Sequence, residues 1–321
     1  MTVFRALACS LAVALPLAAG AAHAQVVSVV TTPAGSFTNS SGAAIAKVLI
    51  DHGKLRAIVQ AQAANGLDSV ASGTATFGLS NSFDTTFFIE GSRYYKEEGP
   101  HKNVRTVASL VPYRVGMFVR ASSDIKSIAD LRGKRVSSGF NAQKTIGTII
   151  EAHLANGGLT YADVQQVPAP NVVRAAEDFN SGKVDVLFFA IGSAAIKQAA
   201  ATVGGLRVLP LDTSPAALKR MEDVMPGAYT VHVEPAPNLD GIAKPTDLIA
   251  FDMVMYTRAD VAEDTIYRAT KALYENKAAL VATFPPFATF DPKHMAKIVK
   301  DVPFHPGALK FYKEAGLAPN S

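Results

Sequence analysis

The sequence predicts an α/β protein of two similar lobes, each a mainly parallel sheet flanked by helices, with a ligand cleft between them. Three observations carry this reading. Strand and helix patterns alternate along most of the 321 residues, as they do in chains of βαβ units. The length favours two domains over one. One corner also occurs twice. "VASGTATFGLSNS" (70–82) and "FNSGKVDVLFFAIGS" (179–193) each pass from a helix end through Ser-Gly and a short apolar run into small polar residues.

The elements follow in order. Residues 26–31 are a nearly unbroken apolar run, as a buried strand requires. Residues 40–53 read as a helix, with Ser40 or Ser41 as N-cap and Gly53 as stop. A strand at 55–61, a short helix at 66–73 and a strand at 75–80 complete the first set. Two strands, 104–111 and 115–121, flank Pro112-Tyr113-Arg114. A second set opens at 127–139 and runs through helix 144–158, strand 164–170, helix 172–182, strand 184–190, helix 194–201 and strand 206–211. A long strand at 247–260 returns, one helix spans 263–284, and a last helix at 305–317 ends at Gly316. The extended stretches 107–119 and 248–256 look like crossovers between lobes. They divide the mature chain into a discontinuous lobe, 25–112 plus 250–321, and a second lobe, 113–249.

The composition narrows the function. The chain is 49% hydrophobic and 18% charged, ordinary for a packed core. Its net charge of +4 is spread along the chain without the dense basic stripe of a nucleic-acid face. Residues 1–24 carry one Arg, a short apolar stretch and Ala22-His23-Ala24. They form a secretory leader, with cleavage predicted after Ala24 and a periplasmic destination. Cys9 is the one cysteine and falls in that leader, so the mature chain has neither a disulfide nor a thiolate metal site. No two histidines have metal-ligand spacing, and no phosphate loop, dinucleotide fingerprint or nucleophile elbow is present. No catalytic residue, metal or cofactor is expected.

What the chain does have is four loops of small polar residues at strand ends, each opening onto a helix: 31–42, 80–82, 137–145 and 190–193. Ser, Asn and Thr there are ordinary N-caps when taken singly. In open α/β sheets, however, ligands bind at strand C-termini. Helix N-termini present free N–H groups and partial positive charge, so several converging ends suit an anion. The predicted ligand-binding residues are Ser36, Phe37, Thr38 and Asn39 from the first loop and Ser80, Asn81 and Ser82 from the second. Asn141, Gln143, Lys144 and Thr145 come from the third, and Ala190, Gly192 and Ser193 from the fourth. Arg114, at the predicted hinge, and Lys144 are the candidates for neutralising a carboxylate.

The stretches "SIADLRGKRVSSG", "AAEDFNSGKVDVLFF", "LRVLPLD", "RADVAEDTIYRATKALYEN" and "HPGALKFYKEAG", in that order, resemble the TAXI-type solute-binding receptors of TRAP transporters, a branch of the periplasmic binding proteins. The resemblance implies a receptor that closes on a small carboxylate or acidic amino acid, glutamate-like in similar receptors, and delivers it to an integral-membrane permease. It implies neither catalysis nor a cofactor. Two departures bear on the solute. Thr38-Asn39-Ser40 stand where the family usually has Tyr-Tyr-Pro, and Ala75-Thr76-Phe77-Gly78 where it has Ala-Asp-Phe-Gly. An exported enzyme or a sensor-associated binding protein on the same fold is the alternative.

Overall fold

The computed structural model of the protein describes residues 26–63, 66–225 and 228–319. The predicted leader, with its cleavage site, lies outside the described residues. The first half begins with β1 (Val26–Thr31), α1 (Phe37–Asp51), β2 (Arg56–Ala61), α2 (Leu67–Ala71), β3 (Phe77–Asn81) and α3 (Ser82–Glu90). β1 pairs in parallel with β2 on one side and β3 on the other. Hydrogen-bonded on both edges and packed on both faces, it has no use for the polar alternation of a half-exposed strand. α1 starts earlier than its Ser40–Ser41 signal suggests. The Ser36 side chain accepts from the Asn39 amide and caps it, and Gly35, at φ +87°, makes the left-handed turn that leads in.

β4 (Val104–Arg120) then crosses to the second half, which holds β5 (Arg135–Gly139), α4 (Lys144–Asn156), β6 (Gln165–Ala169), α5 (Val172–Asn180), β7 (Leu187–Ala190), α6 (Ala194–Val203), β8 (Leu206–Val208), α7 (Pro215–Val224) and β9 (Tyr229–Val233). β10 (Thr246–Arg258) returns, followed by α8 (Glu263–Glu275), α9 (Lys277–Thr283) and α10 (Pro306–Glu314). β5 and β6 form a separate parallel pair. The two long strands lie antiparallel to each other, and both change partners along their length. β10 pairs with β9 at its start and with β3 at its end, while the second half of β4 pairs with β7 and β8.

Three differences from expectation have physical causes. The strands predicted at 104–111 and 115–121 are one strand. Pro112 is tolerated inside it because the ladder is already irregular opposite it, with a register shift between Asp252 and Val254. The helix predicted at 263–284 breaks at Asn276, whose backbone leaves the helical region at φ −123°, ψ 40°. Elements α3, α7 and β9 were not foreseen. α3, "SFDTTFFIE", is buried almost all round with its polar Asp84, Thr85 and Thr86 included, and shows no apolar stripe to read.

A continuous apolar core runs through both halves, from Ile45 and Leu49 on α1 to Phe179 and Phe189. The C-terminal helices pack back onto the first half. The Tyr312 hydroxyl donates to the Val107 carbonyl at 2.6 Å, and the Thr106 amide donates to the Pro303 carbonyl at 2.9 Å. Among the described residues no helix is long and apolar enough to cross a membrane.

Gly78 on β3 lies flat against the ring of Tyr256, a fully buried residue of β10, and a Cβ there would run into the ring and its hydroxyl. Gly78→Ala is expected to lower stability by about 1–3 kcal/mol through overpacking. A urea unfolding midpoint equal to that of the wild type would contradict this close approach.

Candidate functional site

The repeated corners face each other. Between the halves lies a cavity of about 80 Å³. The loop from β1 into α1 contributes Thr32, Ser36, Phe37 and Thr38, and the corner from β3 into α3 contributes Leu79, Ser80, Asn81 and Asp84. From the second half come Gln143, Thr145, Ile146 and Ile149 at the start of α4, Val172, and Phe188, Phe189 and Ala190 on β7. The long strands supply Tyr113, Val115 and Phe251. The N-termini of α1, α3 and α4 therefore open onto one space, under an aromatic and aliphatic lining. Phe37 packs against Tyr113 at 5.3 Å between ring centroids, and Tyr113 against Phe251 at 5.4 Å.

The hydrogen bonds around the cavity have a definite polarity. Ser36 Oγ accepts from Thr32 Oγ1 at 2.7 Å and from the Asn39 amide at 3.1 Å. With both lone pairs engaged, its own O–H can only donate. Thr38 Oγ1 lies 2.7 Å from Thr32 Oγ1 and is also bonded to the Tyr113 hydroxyl, whose pKa burial pushes up. Asn81 Oδ1 accepts from the Asp84 amide at 2.8 Å, and Gln143 Oε1 from the Val172 amide at 2.9 Å. An N–H must meet an oxygen, so both side chains have their NH₂ groups left to donate.

Asp84 is the charged residue of the lining and is fully buried. Tyr94 and Tyr95 donate to its Oδ1 at 2.7 and 3.1 Å. Ser80 and Thr145 donate to its Oδ2 at 3.3 and 3.2 Å. The Tyr94 hydroxyl, buried beside this carboxylate, has its pKa raised far beyond the ordinary phenol range. Thr145 belongs to the second half, so its bond bridges the two halves. Two other contacts do the same. The Ala195 amide donates to the Gly35 carbonyl at 3.3 Å, and Lys144 Nζ donates to the Tyr94 carbonyl at 3.4 Å, with Glu98 at 3.8 Å.

Of the residues singled out from the sequence, Ser36, Phe37, Thr38, Ser80, Asn81, Gln143, Thr145 and Ala190 line this cavity. Seven do not. Arg114 alternates along β4 with Tyr113 and Val115, whose side chains line the cavity, so its own points to the other face. It is half-buried, and desolvation lowers its pKa. Lys144 is half-exposed and turned toward Tyr94 and Glu98. Asn39 Nδ2 is held at 3.0 Å by Thr31 Oγ1. Ser82 follows the capping Asn81 as the first residue of α3 and stays outside the lining. Asn141 is exposed and lies in a separate surface hollow with Phe140 and Pro168. Gly192 makes a left-handed turn at φ +82°, and Ser193 Oγ bends back to the Ala190 carbonyl at 2.6 Å.

Sequence reasoning missed Asp84 and the aromatic lining from Tyr113 and Phe251. In "NSFDTTFF" an aspartate three residues after Asn81 reads as an ordinary first-turn acid, and its Tyr94-Tyr95 partners give no local signal. Away from the cavity the fold brings Asp68, Glu98 and His101 together, with one ligand atom of each within 4.8 Å of the others. Glu98 already faces Lys144, and nothing further marks that surface group as a site.

The chain has the α/β periplasmic-binding-protein fold. Two solved structures show the likeness. A periplasmic transporter shares 12% identity at a TM-score of 0.60, over 92% of this chain and 94% of that one. The periplasmic binding protein BugD shares 14% at 0.57, over 91% of this chain and 98% of that one. In sequence, the chain belongs to the NMT1-like family, which matches residues 29–316.

Behind the cavity wall sits His153 of α4, buried, with Nδ1 2.8 Å from the Ile149 carbonyl and its ring 5.6 Å from that of Phe188. Desolvation lowers its pKa to about 4, from an ordinary imidazole value of 6.5. The unfolded chain thus takes up a proton near pH 6.5 that the folded chain refuses until about pH 4. Stability supplied by the neutral ring is complete above pH 6.5 and is lost as pH falls toward 4, by up to about 3 kcal/mol. His153→Gln should flatten that part of the urea-midpoint profile between pH 7 and 4.5. A variant profile parallel to the wild type would refute the assignment.

Proposed function

We propose that the chain is an extracytoplasmic solute receptor of a transport system. It holds a small organic solute between its halves and presents it to an integral-membrane permease. The observation that carries this is the cavity between the facing corners, where three helix N-termini and the Ser36 hydroxyl, with its O–H left to donate, meet an apolar lining. A water needs about 10–15 Å³ of such space, so about 80 Å³ suits a guest of only a handful of heavy atoms. The export leader read from the sequence supports a periplasmic location, and no catalytic role is assigned to any residue.

The finer reading is a TRAP-type receptor, similar to the TAXI branch, for a small carboxylate or amino acid. Its support is the ordered set of TAXI-like stretches together with the α1 corner. Ser36, Asn81 and Gln143 all present donors, and a carboxylate gains roughly 1.5–3 kcal/mol from each such bond. Neutralisation would then fall to helix N-termini and polar donors, because Arg114 and Lys144 do not line the cavity. The partner exchange within β4 and β10 supports lobes of 25–112 plus 250–321 and of 113–249. Closure follows from differential contact. The Ala195–Gly35 and Thr145–Asp84 bonds exist only when the halves meet, and a guest touching both walls adds to that side of the equilibrium.

A thermal-shift screen over organic acids, amino acids, amides and sugars tests this reading. At least one small polar compound should raise the melting temperature in a concentration-dependent way, since it binds the native state alone. Ser36→Ala should weaken that compound roughly tenfold. A screen with no hit, or a hit indifferent to Ser36→Ala, would overturn the reading.

A further inference from the structure

We propose that Asp84 sets the chemical class of the solute: the end of the guest that faces it carries an N–H donor, ammonium or amide, and not a second carboxylate. The inference rests on the receptor reading above and deepens it. It follows from where the hydroxyl protons point. Ser80 and Thr145 both line the cavity, and both direct their O–H to Oδ2 of Asp84. Tyr94 and Tyr95 occupy Oδ1 in the same way. Ser80, Thr145, Tyr94 and Tyr95 are thus among the partners that replace the lost hydration of this buried carboxylate.

The consequence falls on the guest. A hydroxyl whose proton is committed has only lone pairs left to offer. The cavity face of Ser80 and Thr145 is thus an acceptor surface, backed by the Asp84 carboxylate. Among the described residues that line the cavity none is Lys, Arg or His. A carboxylate at this end would meet lone pairs and a like charge in a partly dry space, whereas an N–H meets acceptors. The α1 corner has the opposite sense, since there the Ser36 O–H is left to donate. The cavity is therefore bipolar, and a bound solute aligns with an acceptor end at Ser36 and a donor end at Asp84.

Three probes that share one carboxylate and differ at the other end test this by calorimetry at neutral pH: succinate, succinamate and 3-aminopropanoate. Succinamate and 3-aminopropanoate should bind the wild type at least roughly tenfold more tightly than succinate. Asp84→Asn should remove most of that gap, because Ser80 and Thr145 are then released to donate. Thr145→Val should narrow it while keeping Asp84 itself, although it also removes the hydroxyl's contact with Tyr94, and it serves if Asp84→Asn does not fold. Succinate binding the wild type as well as succinamate, or a gap that survives in both variants, would overturn the proposal. So would silence from all three probes alongside a hit elsewhere in the solute screen, and the receptor reading would then stand. Silence from the whole screen would take the receptor reading down with it.

Discussion

A carboxylate with no exposed surface is the constraint around which this cleft is organised. Removing Asp84 from water costs several kcal/mol unless donors replace the lost hydration. The donors come from three places in the chain. Ser80 lies at the end of β3, Tyr94 and Tyr95 in the turn after α3, and Thr145 in the first turn of α4. One buried charge therefore fixes the start of α3, folds the following turn over it, and gives the second half a place to dock. The first turn of α3 adds its own partial positive charge at the same spot. The converging helix ends that look from the sequence like a seat for a foreign anion are, at this corner, already filled by the protein's own.

That occupation explains how the polar groups divide. The α1 corner has no internal acid, so its relay of hydroxyls, Thr38 to Thr32 to Ser36, ends in a Ser36 proton left free to donate. The α3–α4 corner has one, so its hydroxyls turn away from the guest. Two corners that look alike as strings of Ser, Thr and Asn are thus opposite in hydrogen-bonding sense. Residue type alone does not reveal this, because a hydroxyl serves as donor or acceptor according to its neighbour.

The same distinction marks how far the chain could be read from its residues. The alternating elements, the two opposed corners and eight of the residues at the cavity were legible, because each depends on local pattern: an apolar run, a cap, a strand end. Pro112 misled by suggesting a break, since the bulge that accommodates it, three steps on β4 from Pro112 to Ser109 against two on β10 from Asp252 to Val254, shows only once the two strands are paired. Arg114 misled because a strand's period of two decides which face a side chain takes, and the register is invisible until the partners are known. Asp84 went unseen because its meaning comes from tyrosines ten and eleven residues away and a threonine 61 away. The helix at 215–224 had a usable signal in Ser214-Pro215, a capping residue followed by proline at the first helical position.

β4 and β10 are hydrogen-bonded side by side through the region where the chain passes between halves. A pair of rails of this kind resists sliding and shear, since either would break the ladder, but it yields to bending across its width. Bending across this strand pair is therefore softer than sliding along it. The corners that line the cavity and the strand pair that would bend are thereby largely distinct sets of residues. The polar character of the cavity could therefore change by rewriting the corners alone, with the paired strands left as they are.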